Sequence, residues 1–213
     1  MPGLTSFRGI AATVALMLTL SASALQPAAA REAVEPGKPA PAFTAVDMAG
    51  KTVSSADLKG KVVVLEWTND GCPYVRKHYG SGTMQKLQAD LAQKGIVWLT
   101  VISSAPGQQG HVNGLEAEKL TSDRKAQPTT VLLDPKGDLG KLYGASTTPH
   151  MYVIDQAGLL RYMGGIDDKP SASAASLTGA RAYVREAVDA ILASRPVEVA
   201  SSRPYGCSIK YAD

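Results

Sequence analysis

This chain is poor in the residue types that most often announce a function. It has two cysteines, three histidines and 6% aromatic residues in 213. Two cysteines cannot build a zinc-type cysteine cluster, and no glycine-rich phosphate-binding loop appears. The formal charge is only +3 at pH 7, with Lys and Arg scattered along the chain. Such a field is too weak to argue for nucleic acid or an anionic lipid surface. There are no internal repeats. Beyond the N-terminus no segment is apolar enough to cross a membrane. Nothing in the sequence asks for a cofactor or a bound metal.

What is there begins with Arg8, then an apolar stretch from Ile10 to Leu20, then Ala28-Ala29-Ala30, a small-x-small site with Ala22-Ser23-Ala24 as its rival. This is the layout of a secretory signal peptide. The apolar core falls short of the roughly 20 residues that a spanning helix needs, so residues 1–30 read as cleaved rather than as an anchor. No cysteine follows them to carry a lipid. The organisation expected is a signal at 1–30, one domain at 31–194 and a C-terminal tail at 195–213 carrying Cys207. The domain is long enough for a sizeable core. The mature chain is expected to be periplasmic or otherwise exported, with no stable membrane insertion.

Cys72 stands out. The apolar run Val62 to Leu65 reads as a buried strand, which passes through a polar turn into Cys72-Pro73 and a helix. Proline is favoured in the first helical turn, where its missing N–H costs nothing. A thiol there faces unpaired backbone N–H groups and the positive end of the helix dipole. Both favour the thiolate, and thiols so placed have pKa values of roughly 3.5–7.5. In an oxidising compartment two cysteines often join. Cys72 and Cys207 are then either a structural staple for the tail or an attacking thiol with its resolving partner. The strand-to-helix setting favours the second.

Strands and helices alternate along the chain. Phe43–Val46 and Lys51–Val53 flank a turn at Met48-Ala49-Gly50, and Ser54–Leu58 reads as a capped helical turn. Lys61–Trp67 and Ile96–Ile102 are core strands. Thr83–Lys94 carries Met84, Leu87 and Leu91 at helical spacing and stops at Gly95. Ser103–Gly114 is a loop, Leu115–Lys125 a helix and Thr129–Leu133 a strand. Met151–Ile154 and Leu159–Met163 form a hairpin across Gln156-Ala157-Gly158. Asp168–Ser176 is a linker, Leu177–Ser194 a last helix, and the tail an extended arm. Alternation of this kind argues for an α/β fold, a mixed central sheet with helices on both faces.

Several segments resemble a known family. Gly37-Lys38-Pro39-Ala40-Pro41-Ala42-Phe43, Gly50-Lys51 and Leu58-Lys59-Gly60-Lys61-Val62-Val63-Val64 resemble the start of a redoxin domain. Such domains form the alkyl hydroperoxide reductase/thiol-specific antioxidant, or peroxiredoxin-like, branch of the thioredoxin superfamily. Thr147-Thr148-Pro149-His150-Met151-Tyr152-Val153-Ile154-Asp155 is similar to the superfamily's cis-proline segment. The resemblance covers Pro36 to Met163. It implies a thioredoxin-like fold with Pro149 as the cis-proline and the Thr148 backbone facing the active thiol. The tail Pro204–Tyr211 and the segment Glu66–Tyr79 extend it towards a bacterial peroxiredoxin-like subgroup. The departures are specific. Val75 replaces the second cysteine of Cys-x-x-Cys. Asn69 and Leu65 stand where peroxiredoxins carry Thr or Ser and Pro. Thr68 is one residue off register and could substitute if the turn is bulged. The activating arginine has only Arg76 and Arg161 as candidates.

His150, beside Pro149, is expected near Cys72, where it could lower the thiol pKa, accept its proton or help hold a metal. His78 is expected to point away to the surface, and His111 lies in a polar loop. Arg76 and Lys77 could stabilise a thiolate or merely solvate the helix. Trp67 and Trp98 read as core, and the adjacent Asp167 and Asp168 carry little signal alone. Three functions remain. The first is thiol–disulfide exchange with protein thiols and disulfides, with Cys72 attacking and Cys207 resolving. The second is a thiol peroxidase acting on small peroxides with a thiol reductant, passing through a Cys72 sulfenic acid. The third is a copper-handling protein using Cys72 with His150.

The layout at the N-terminus yields one expected outcome. N-terminal sequencing of the exported protein should find Arg31 first; a chain starting at Met1 or Pro2 would make the segment an anchor.

Overall fold

The computed structural model describes residues 34–212, together with Met1 and Gly3; apart from those two, the signal peptide expected at 1–30 lies outside the described residues. The hairpin β1 (Thr44–Asp47) and β2 (Thr52–Ser54) leads through a short 3-10 turn at Ser55–Leu58 into β3 (Val63–Trp67). There follow α1 (Pro73–Gly80), α2 (Thr83–Gln93), β4 (Val97–Ile102), α3 (Gly114–Asp123) and β5 (Thr130–Leu133). Then come α4 (Asp138–Tyr143), β6 (Thr147–Thr148), β7 (His150–Ile154), β8 (Leu160–Gly164), α5 (Tyr183–Leu192) and β9 (Cys207–Ser208). Seven strands make one sheet in the order β2-β1-β5-β4-β3-β7-β8, and β6 pairs with β9. Within it β3, β4 and β5 are parallel and the outer pairings antiparallel. The mixed sheet with helices on both faces is the one the alternation predicts.

β3 and β4 lie in the middle, buried along their whole lengths, which is why they read as continuous apolar runs rather than alternating ones. Side chains still alternate between faces. Val64, Trp98, Met151 and Val153 meet α1, α2 and α5 on one face, through Val75, Met84, Leu91 and Val188. Leu65, Trp67, Leu99 and Tyr152 meet α4 on the other, through Leu139 and Tyr143. Each such fully buried apolar side chain contributes about 1.5–3 kcal/mol.

Two elements differ from expectation. α4 is missing from the sequence reading because glycine interrupts it: Gly137 precedes it, Gly140 lies inside and Gly144 follows. Gly140 is there because the Tyr211 ring of the tail lies against it, where a Cβ would overlap the phenol oxygen. The last helix begins at Tyr183 rather than Leu177; the chain makes a 3-10 turn at Ala174–Leu177 and is then broken by Gly179 in the left-handed region at φ +71.

The one charge inside β3 is Glu66, fully buried. Its carboxylate accepts from Tyr79 Oη at 2.8 Å, Trp98 Nε1 at 2.9 Å, Thr100 Oγ1 at 3.1 Å and Gln88 Nε2 at 3.3 Å. Burial pushes its pKa above the usual carboxylate range, while the bonds from Trp98 and Tyr79 and the charge of Arg124 pull the other way. A buried polar cluster is stable only while every member is satisfied. Glu66→Ala, which orphans four donors, should lower the stability measured in urea by roughly 3 kcal/mol or more. Glu66→Gln, which keeps an acceptor oxygen, should lose less.

Candidate active site

Cys72 is the N-cap of α1, in extended conformation (φ −82°, ψ 120°), with Pro73 opening the helix. Its carbonyl accepts the first helical bonds, from Val75 N–H at 3.0 Å and Arg76 N–H at 2.9 Å. The turn before it is held from two sides. Asn69 Oδ1 accepts from Gly71 N–H at 2.8 Å, and Asn69 Nδ2 donates to the Gln109 carbonyl at 3.1 Å. Gly110, at φ +86, lies so close that a Cβ would overlap the Asn69 amide. Neither Asn69 nor Gln109 drew attention as a site residue in the sequence. The Asn-Asp-Gly turn was the only signal available for them, and it names a turn rather than its partner loop.

The Thr148–Pro149 peptide is cis, and Thr148 lies against the thiol. Cys72 Sγ–H donates to the Thr148 carbonyl at 3.1 Å. The tail crosses the same place. β9 runs antiparallel to β6, with Cys207 opposite Thr148 and Ser208 opposite Thr147. Gly206, at φ +135, is required there, because a Cβ would overlap the Thr148 carbonyl oxygen. Cys207 is thereby brought to Cys72, and both are free thiols. Cys72 is fully buried beneath this strand, Cys207 only partly.

The two thiols are unequal. Burial works to raise the Cys72 pKa, but hydrogen bonds from the Cys207 thiol, from Thr148 and from the Val75 and Cys207 backbone outweigh it, and the net direction is down. Cys207 is pushed up to about 11, by burial first and then by its hydrogen bond to Cys72 and the negative charge there. Cys72 ionises first, and Cys207 keeps its proton and donates it to the thiolate. The 3.1 Å contact to the Thr148 carbonyl belongs to the protonated form of Cys72.

Several expected neighbours are elsewhere. His150 is the main correction. It follows Pro149 but points to the opposite layer from Met151, which packs with Cys72. Its ring stacks on Tyr152 at 4.6 Å, and its Nδ1 accepts from Ser146 N–H at 3.3 Å. Burial depresses it to about 4, so near pH 7 it is neutral and supplies no cation for the thiolate, and its place on the other face keeps it from sharing a ligand set with Cys72. Thr68 is not lifted by a bulge. Its N–H continues the ladder to the Val101 carbonyl at 3.0 Å, and its buried Oγ1 has no hydrogen-bond partner among the described residues. Arg76 is exposed and donates to the Asp70 carbonyl at 2.7 Å. Arg161 pairs with Asp155 at the far end of the sheet. His78, expected at the surface, is buried against Asp167. Val75, in the place of a second cysteine, is buried in the core.

The asymmetry can be measured. In Cys207→Ser, alkylation of Cys72 against pH should have a midpoint below the free-thiol value of about 8.5. In Cys207→Ala, which lacks the donor, the midpoint should move upward. Identical midpoints would remove Cys207 as the group that stabilises the thiolate.

The model of the AhpC/TSA family matches residues 36–163. Thioredoxin-like protein YneN of Bacillus subtilis is 28% identical over 134 residues, covering 60% of this chain and 70% of that one. Thiol-disulfide oxidoreductase ResA of the same organism is 27% identical over 144 residues, covering 62% and 80%. The crystal structure of an uncharacterized conserved protein from Geobacillus kaustophilus is similar with a TM-score of 0.69 at 25% identity, covering 84% of this chain and 93% of that one. With its family-matched core, its cis-proline segment and its helix-capping cysteine, the chain belongs to the AhpC/TSA family, the redoxin branch of the thioredoxin-fold oxidoreductases.

Proposed function

We propose that this protein is an exported thiol–disulfide oxidoreductase in which Cys72 attacks and Cys207 resolves. The observation that carries the reading is β9 itself, which lays Cys207 opposite Thr148, where Cys72 already bonds. Similarity to ResA, named a thiol-disulfide oxidoreductase, supports the same chemistry. Of the groups a peroxidase would add, neither the Thr68 hydroxyl nor the Arg76 guanidinium hydrogen-bonds the Cys72 thiol among the described residues.

The Cys72 thiolate attacks one sulfur of a substrate disulfide. A Cys72–substrate disulfide forms and the other substrate sulfur leaves as a thiolate. Cys207 then attacks the Cys72 sulfur, its proton passes to the departing second substrate thiol, and the Cys72–Cys207 disulfide remains. The substrate disulfide is reduced by two electrons and the protein dithiol oxidised by two; the reverse sequence oxidises a dithiol. The order is built into the pair. While Cys72 is anionic it holds the Cys207 proton in place. Once Cys72 is in a mixed disulfide that charge is gone, only burial still raises the Cys207 pKa, and the resolving thiol becomes easier to ionise when it is needed.

Cys207→Ser should therefore trap Cys72. Incubated with a disulfide-bearing protein, the variant should accumulate a mixed disulfide visible by mass spectrometry, while the wild type releases product and gains an internal Cys72–Cys207 bond. Turnover by the variant at the wild-type rate would remove Cys207 from the reaction. A wild-type thiol that is inert to disulfides but consumes peroxide would make the protein a peroxidase.

A further inference from the structure

Five residues beyond Cys72 on the same helix is a lysine whose side chain is wholly buried. Lys77 Nζ lies 3.4 Å from Asp167 Oδ2, donates to the Lys169 carbonyl at 3.0 Å and to Tyr205 Oη at 3.1 Å. Tyr205 Oη in turn donates to Asp167 Oδ1. The ammonium also sits 5.1 Å from the centre of the Tyr205 ring. His78 Nε2 is 3.6 Å from Asp167 Oδ2 and closes the cluster from the side. All three ammonium protons thus have acceptors, the condition for burying such a charge. The reaction described above uses none of these groups.

What they hold is the tail. Tyr205 is separated from Cys207 by Gly206 alone, and two residues of extended chain span at most about 7 Å. Fixing Tyr205 therefore fixes Cys207. The anchor stands on α1, the helix that Cys72 caps, so the distance from anchor to thiol is set within one rigid element. Tyr74 adds an edge contact to the Tyr205 ring at 5.8 Å between centroids. Beside the anchor lies a cavity of about 520 Å³, lined in part by Asp167, Asp168, Tyr183, Arg203 and Tyr205.

We propose that Lys77, Asp167 and Tyr205 form a latch that holds the C-terminal arm over Cys72 and are positioning residues for Cys207. Closed, the latch shields Cys72 and delivers the resolving thiol. Open, it admits the substrate disulfide. This rests on the reading of Cys207 as the resolving thiol.

A latch moves two quantities in opposite senses. Tyr205→Phe keeps the ring against Tyr74 and Lys77 but removes the hydroxyl; Asp167→Asn removes the charge. In the Cys207→Ser background each should speed alkylation of Cys72 by iodoacetamide about tenfold, since each removes hydrogen bonds or charge that hold the arm closed, whose net worth is modest. With Cys207 restored, each should lower the equilibrium constant for Cys72–Cys207 disulfide formation in glutathione buffers about tenfold, which is about 30 mV for this two-electron couple. Leu132→Ala, which weakens the core from β5, is the control for mere destabilisation. If it shifts both quantities as far as the latch variants do, the cluster is only structural and the proposal falls. If the wild type forms the disulfide and both latch variants match it in rate and equilibrium, the latch falls alone. If the wild type forms no Cys72–Cys207 disulfide in any buffer, the resolving role falls and takes the latch with it.

Discussion

The site hangs on the backbone of Thr148. Its carbonyl receives the Cys72 thiol, its peptide with Pro149 is cis, and its other edge pairs with Cys207. Three chain segments distant in sequence meet at one residue. The tail closes in only because Gly206 has no side chain to meet the carbonyl, and nearby Gly110 likewise lets its loop reach Asn69. The reactive geometry is thus made chiefly by main chain, with side chains deciding only which thiol carries the charge.

The fold also buries ionisable groups, among them two clusters. Glu66 lies in the sheet, ringed by donors. Lys77 and Asp167 lie under the tail and neutralise each other. Such groups stabilise little against an apolar alternative, since desolvation offsets much of what their contacts contribute. Their value is specificity. A carboxylate ringed by donors from β4, α1 and α2 fits one arrangement of those elements, and a lysine that needs Asp167, Lys169 and Tyr205 fits one path for the arm.

Most of the scaffold was legible in the sequence because its signals are local. Val62 to Leu65 is an unbroken apolar run, Met84, Leu87 and Leu91 repeat at helical spacing, and Pro73 marks a helix start just after a cysteine. The Thr-Thr-Pro segment was legible through resemblance. What was not legible depends on partners far along the chain. His150 sits next to Pro149, yet strand alternation sends its ring to the face away from Cys72. His78 reads as a surface residue and Asp167 carries little signal, because nothing near either one shows that Tyr205 will cover both. α4 was hidden by glycines whose reason is Tyr211. Thr68 stays in the ladder because β4 pairs with it, which no pattern in the turn itself displays.

The placement of Val75 has a further consequence. In a Cys-x-x-Cys helix both thiols share one turn, and oxidation closes a tiny ring that barely constrains the rest of the chain. Here a Cys72–Cys207 bond would close a large ring from the start of α1 to the last strand, leaving the first three strands outside it. In the chain-entropy picture a loop of about 100 residues is worth about 4–5 kcal/mol to the folded state. The redox state would then be written into the durability of the molecule: the oxidised form a cyclised, hard-wearing body, the reduced form one whose end can fray and be trimmed by proteases.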